Sequence, residues 1–394
     1  MFLFLFAKQL VDMLYRFQWL DYLMVLSVLF MLGYQLLLTH ASVKNLLFPD
    51  MVVIGLSLFA VWGLVGGSIE DGYETFCKVL SAYLMYFVGR VYCERIEECY
   101  PALVASSYIV VYANFFYRLY RHGGRLVMQG DNSGELFFYK TDMAYAVLLS
   151  TVFICLLGRS FLGKLVTAVF ICPYMVLCSG ARTQWVLLFA VYFVFGYYLW
   201  KKRLKRHRLT RKDMLSYCGL LLGVVLMLAA FSWVTGIERY LRELLAEFAA
   251  SENGIPNSIG HSRQYIWSNI LHTLASQPLF RQIFGRGWGL LVEVAADGHA
   301  RDAHSTYFRV LLATGYAGFA LFLFFLLLVL YYMLHLKEER FRCMVISVLL
   351  IFCGSGLTIS AIIFTQMSWF PMMFAGMAVT KAKGVGNTGG ENRG

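Results

Sequence analysis

The sequence predicts an all-α, polytopic membrane protein, on three observations. Hydrophobic residues make up 59% of the 394 and charged residues only 14%, too little charge to cover the surface of a soluble domain. The mean hydropathy is +0.64, and the apolar residues gather in blocks of about 20, the helical length that crosses a ~30 Å hydrocarbon core. Short polar connections separate these blocks. Lipid offers no partner to a free backbone N–H or C=O, so each block is a helix.

Candidate spans cover residues 20–40, 47–67, 73–90, 99–117, 142–158, 162–178, 182–200, 214–235, 306–335, 343–360 and 361–380. They give a single integral-membrane domain over residues 1–394, with about 11–12 transmembrane helices and an outer helical loop. The twelfth depends on residues 1–19, which are apolar but interrupted by Lys8, Asp12 and Arg16. That stretch suits an interfacial helix or a poorly formed span. No small-residue cleavage site follows it, so a cleaved signal peptide is not expected.

Orientation follows from the basic connections, because Lys and Arg are retained on the cytoplasmic side. The run 201–212 (KKRLKRHRLTRK) holds eight Lys or Arg in twelve residues and fixes that loop inside. The alternate connections around 41–46, 90–98, 159–164, 336–342 and the tail after Thr380 then lie inside as well, and together with that run they hold 19 of the 34 basic residues. A topology anchor accounts for the net charge of +11, and no nucleic-acid partner is expected. The nine cysteines avoid both large outer connections and form no CxxC pair, so neither a disulfide framework nor a zinc site is expected.

Those outer connections are a short loop over 118–141 and a large one over 236–303. In the large loop, Ile237, Tyr240, Leu241, Leu244, Leu245 and Phe248 recur at helical spacing opposite charged residues, the pattern of a helix lying on membrane lipids. After a turn at Asn253–Gly260 the pattern returns in Tyr265, Ile266, Ile270, Leu271 and Leu274, and Gln277-Pro278 ends it. A glycine-rich stretch, Phe284–Gly289, follows. The loop is expected to form a small helical cap at the depth of a lipid headgroup.

All six basic residues of 236–303 are arginine: Arg239, Arg242, Arg263, Arg281, Arg286 and Arg301. Arg182 stands at the outer end of a span in Ser179-Gly-Ala-Arg-Thr183, and Arg309 lies about one turn inside the next. Positive charge on the outer side opposes the usual bias, and arginine's planar fork grips phosphate oxygens in pairs. Pairing with nearby carboxylates accounts for Arg239, Arg242 and Arg281. Arg182 and Arg309, near or within apolar helix, are expected to have a use. His304, in Arg301-Asp-Ala-His-Ser-Thr-Tyr307, sits where the loop enters a helix. An imidazole, with an ordinary pKa near 6.5, can take a proton from a sugar hydroxyl at neutral pH. No pair of His or carboxylate residues has firm metal-ligand spacing, so neither a metal nor a cofactor is expected.

His304-Ser305, nine residues, then Gly315-Tyr-Ala-Gly318 fits the pattern H[NSQ]x9GxxG, typical of the O-antigen ligase and polymerase superfamily. Ser179–Thr183, Ser262-Arg-Gln-Tyr-Ile-Trp267 and Phe284-Gly-Arg-Gly287 resemble it too, and the likeness covers roughly residues 175–335. It implies a metal-independent, inverting glycosyltransferase of the bacterial inner membrane, with its site facing the periplasm. The donor would be an undecaprenyl diphosphate-linked glycan and the acceptor a sugar hydroxyl of lipid A–core. The resemblance further implies His304 as base and Arg182 and Arg263 as diphosphate ligands, with Arg286, Arg301 and Arg309 as weaker candidates. Gly315 and Gly318 share a helix face, where small residues admit a neighbouring helix.

Within the family, one dominant outer loop leans toward the ligase. The alternative is the polymerase that extends the lipid-linked glycan. A flippase or other transporter would line its spans with charge, whereas these carry few charges, chiefly Lys78 and Arg309. The orientation is checked by cysteine labelling in spheroplasts: a cysteine at Asn257 should react with a membrane-impermeant thiol reagent and one at Arg208 should not. The opposite pattern would invert the topology.

Overall fold

The computed structural model describes residues 1–14, 18–39, 46–65, 69–126, 135–137, 139–206, 219, 257–289, 292–293, 300–301 and 303–387. Helices α1 (Phe2–Met13), α2 (Gln18–Thr39), α3 (Phe48–Val65), α4 (Ile69–Tyr92) and α5 (Ile96–Arg121) are followed by α6 (Lys140–Leu157), α7 (Phe161–Val166), α8 (Cys172–Cys178) and α9 (Arg182–Arg206). Beyond them come α10 (Asn257–Ala275), α11 (Leu279–Phe284), α12 (Thr306–Leu334), α13 (Glu339–Ser355) and α14 (Thr365–Asn387). A two-residue antiparallel pair, β1 (Val292–Glu293) with β2 (Ala300–Arg301), interrupts an otherwise helical chain. The predicted amphipathic helix at 237–248 lies outside the described residues, as does the predicted span 214–235 apart from Gly219.

Five helical stretches among the described residues are long and apolar enough to cross a membrane: Gly72–Arg121, Lys140–Leu157, Phe161–Cys178, Thr183–Lys202 and Thr306–Leu334. The chain is therefore an all-α, multi-pass membrane protein. The first stretch reads in the sequence as two spans, and the structure joins them without a loop. One 3-10 turn, Cys93–Arg95, links α4 to α5, after which the two helices choose different neighbours. Helix α4 packs on α14, α3 and α2, while α5 packs on α6 and α1. Between α7 and α8 the helix widens into a π turn over Thr167–Ile171. Pro173, just beyond, has no N–H and its ring would crowd the carbonyl four residues earlier. The Ala168 carbonyl in this turn accepts the Tyr192 hydroxyl.

Helices α4 and α14 cross closely. A Cβ on Gly89 would collide with the Met373 backbone, and one on Gly376 with the Tyr86 backbone. Two glycines thus let the main chains touch, the usual device of membrane helices, which gain little from hydrophobic exclusion. Across the same seam the Trp369 indole N–H donates to Ser81 Oγ at 2.9 Å. Tyr145 donates to the Met367 carbonyl at 2.6 Å on the other side of α14.

Charge within the bundle is more extensive than Lys78 and Arg309, which corrects the sequence reading. In α1, Lys8 is 1% exposed, paired with Asp12, 3.3 Å from Thr365 Oγ1 and 4.7 Å from the centre of the Trp369 ring. Lys8 and Asp12 therefore face helices, and opposite charges four apart neutralise each other; Arg16 lies outside the described residues. Arg90 reaches Asp50 at 2.9 Å and Thr380 at 2.8 Å; Arg118 reaches Glu135 at 2.6 Å. Removing one partner of such a buried pair leaves an uncompensated charge, a loss of about 3–5 kcal/mol. At the far end of α9, Lys201 meets Glu339 at 2.7 Å, while Lys381 lies 3.1 Å from Glu338 and 3.7 Å from Glu97. Four connections expected to share a face are thereby tied together at one end of the bundle.

The α4–α14 crossing is tested by Gly89→Ala, which should lower stability in detergent by about 1–3 kcal/mol through overpacking. Gly196→Ala, where a Cβ meets nothing within 4 Å, should be neutral or slightly stabilising by the same thermal melt.

Candidate active site

The sequence-predicted residues cluster at the end of the bundle opposite those ion pairs, where α9 and α12 begin. Helix α8 stops at Cys178 and the chain reverses through Gly180, whose φ of +65° suits glycine. Ser179 is buried; its hydroxyl donates to the Val176 carbonyl at 2.6 Å and accepts the Ala181 N–H at 3.1 Å. The turn delivers Arg182 as the first residue of α9. Thr183 and Gln184, next in line, bond to the end of α13: Thr358 Oγ1 donates to Thr183 Oγ1 at 2.9 Å, and Gln184 donates to Ser355 Oγ at 2.8 Å.

The connection after α13 also holds the start of α12. The Thr306 N–H is shared between the carbonyls of Gly356 at 2.8 Å and Ile359 at 3.0 Å, and the Ser305 hydroxyl donates to Gly356 at 3.1 Å. Arg182 and His304 therefore flank one short turn, residues 356–359. His304 itself is exposed. Its φ is +47°, left-handed backbone that a non-glycine residue adopts at a cost of about 1–2 kcal/mol. Such strain persists only where the surroundings impose it, and it concentrates at functional sites.

The glycine-rich stretch packs into a break in α12. Gly315 has φ +67° and ψ −170°, far from helical. A continuous helix would direct the Leu312 and Ala313 carbonyls to residues 316 and 317. Here they accept the N–H groups of Arg286 at 3.0 Å and Gly287 at 3.1 Å. The approach needs glycine on both sides. A Cβ on Gly285 would strike Ala313, and one on Gly315 would strike Ile283 and Gly285. Gly318 lies one turn on, where a Cβ would come 3.1 Å from Phe59 of α3. Trp288, fully buried, donates its indole N–H to Ala60 at 3.1 Å and its backbone N–H to Gly63 at 3.1 Å.

The arginines divide by environment. Arg309 is 5% exposed and donates to the Trp288 carbonyl. Arg286 is half-buried, and its Nε is enclosed with no hydrogen-bond partner among the described residues. Arg301 lies in β2, its backbone paired with Val292. Arg263 lies in α10, one turn before Trp267. That helix starts at Asn257, so Gly260, expected in a turn, is helical. It meets the bundle through a small apolar joint of Ile266, Ile270, Ala303 and Leu312. There Trp267 stacks on Phe308, with centroids 5.1 Å apart and planes inclined by 15°. The Trp267 indole N–H donates to the Ala303 carbonyl at 3.2 Å. Neither the 356–359 turn nor the Trp267 bond was foreseen. A Ser-Gly pair at 355–356 was the only signal for the first, and partners 36 residues apart gave none for the second. Among the described residues no three His, Cys, Asp or Glu side chains group as metal ligands.

The fold and this cluster define a multi-pass membrane protein with a polar site at one end of its bundle. Residues 167–323, less than half of the chain, match the family model described as O-antigen ligase. The matched segment contains Arg182, Arg263, Arg286, Arg301, His304, Arg309, Gly315 and Gly318. No curated protein matches the chain.

The break in α12 predicts that Gly315→Ala is severe, because a φ and ψ nearly exclusive to glycine coincide with a backbone collision. We expect a loss of about 2–4 kcal/mol in thermal unfolding. Stability equal to that of the unsubstituted protein would mean that α12 runs straight.

Proposed function

We propose that this chain is an O-antigen ligase. It moves a glycan from undecaprenyl diphosphate to a sugar hydroxyl of lipid A–core in lipopolysaccharide biosynthesis, at a site facing the periplasm from the bacterial inner membrane. The family match supports glycosyl transfer within the ligase and polymerase superfamily. The observation that carries the site is His304, exposed and held in left-handed backbone where α12 opens.

His304 acts as general base. It takes the proton of the acceptor hydroxyl as that oxygen bonds to the anomeric carbon of the donor sugar. The bond from that carbon to the diphosphate oxygen breaks with its electron pair, and undecaprenyl diphosphate departs. Attack from the face opposite the leaving group inverts the configuration. The leaving group is already a stable anion, so the step uses neither a metal nor a second carboxylate. Positive charge aimed at the diphosphate stabilises the transition state. Arg182, Arg263 and Arg286 supply it. The enclosed Nε of Arg286 supports this role, since a buried donor of this kind calls for an acceptor. We assign Arg309 to bracing the glycine-rich stretch through the Trp288 carbonyl, and Arg301 to the rim of the site.

The dominant outer loop, 236–303, favours the ligase over the polymerase. The two differ in acceptor: a ligase needs lipid A–core, a polymerase a second lipid-linked repeat. Purified protein in nanodiscs, given the donor with each acceptor in turn, should form one high-mass product per lipid A–core and no longer lipid-linked glycan from donor alone. His304→Ala, inserted at normal levels, should give neither product. A ladder of lengthened lipid-linked glycan from donor alone would establish the polymerase instead.

A further inference from the structure

We propose that Trp267 is a positioning residue that fixes the backbone of His304 and ties it to the helix carrying Arg263. His304 holds a φ of +47° and is exposed. Its backbone is gripped on both sides. On the C-terminal side, Ser305 and Thr306 bond to the Gly356 and Ile359 carbonyls. On the N-terminal side, the Trp267 indole N–H holds the Ala303 carbonyl at 3.2 Å. The same indole stacks at 5.1 Å on Phe308, one turn after His304. Trp267 thus bridges the residue before the base and the first turn after it.

The bond is sheltered. Ala303 is fully buried among Ile266, Ile270 and Leu312, where water does not compete for its carbonyl and a hydrogen bond is worth more than at the surface. Arg263 stands one turn before Trp267 in α10. The apolar joint therefore sets the spacing between a diphosphate ligand and the base, a distance that acts on the transition state more than on donor binding. Phenylalanine and tryptophan both stack, but only tryptophan carries the N–H. This difference separates positioning from packing.

This assignment rests on the reading of His304 as base, so the experiment compares Trp267→Phe, Trp267→Ala, His304→Ala and, on the exposed side of the same helix, Leu271→Ala. Donor-binding stoichiometry with undecaprenyl diphosphate-linked glycan counts folded enzyme, and kcat is expressed per binding site. Trp267→Phe should lower kcat about tenfold or more with the donor KM nearly unchanged. Trp267→Ala should be at least as slow, and Leu271→Ala should match the unsubstituted protein. Full kcat in Trp267→Phe would overturn the positioning role, whether or not Trp267→Ala is impaired. Turnover in His304→Ala would overturn the base assignment instead, and with it any role for Trp267 in holding a base.

Discussion

At Gly315 helix α12 abandons helical geometry, and the carbonyls of Leu312 and Ala313 bind the N–H groups of Arg286 and Gly287. The polar end of the bundle is organised around this exchange. It draws the 285–288 stretch into contact with α12, seats Trp288 against Ala60 and Gly63 of α3, and gives the Arg309 guanidinium the Trp288 carbonyl. An unsatisfied carbonyl inside a membrane protein costs several kcal/mol, so the break and the inserted loop require each other. Gly285 and Gly315 meet there because neither tolerates a side chain at that separation.

A second constraint is the polar turn after α13, which binds α9 through Thr183 and Gln184 and α12 through Ser305 and Thr306. The starts of two helices that carry Arg182 and His304 are fixed by the same few residues. Both helices therefore present their N-terminal ends, where the backbone dipole is positive, to one region. Anionic chemistry suits such a place. The opposite end of the bundle is closed by ion pairs that join α9, α13, α14 and the start of α5.

Much of this was legible in the sequence because membrane insertion leaves a strong, local imprint. Apolar blocks, basic connections and the order of motifs depend on residue type and spacing alone. Each predicted span is helical over most of its described residues, although the span predicted at 343–360 ends as helix at Ser355 and gives way to a turn; the segments holding Lys201, Glu338, Glu97 and Lys381 do share a face. Lys8 and Asp12 made α1 ambiguous because the sequence shows charge without its partners; Thr365 and Trp369, which complete the setting, lie more than 350 residues away. The spans at 73–90 and 99–117 were separated correctly, yet the single 3-10 turn between them carries no Gly or Pro to announce it.

The sequence by itself determined the class, the helices and the short list of residues able to do chemistry. Hydropathy and histidine or arginine chemistry are properties of the residues themselves. Tertiary structure decided which of those residues meet, and in what role. The helix break at Gly315 reads in sequence as a packing motif, because its φ of +67° is imposed by a loop 30 residues upstream. Arg286 and Arg309 are equivalent as letters; only burial and partners distinguish the half-buried Arg286 from the buried Arg309, whose guanidinium donates to the Trp288 carbonyl. Hydrogen bonds are directional and short-ranged, so the division of roles within the site appears only once the chain has folded.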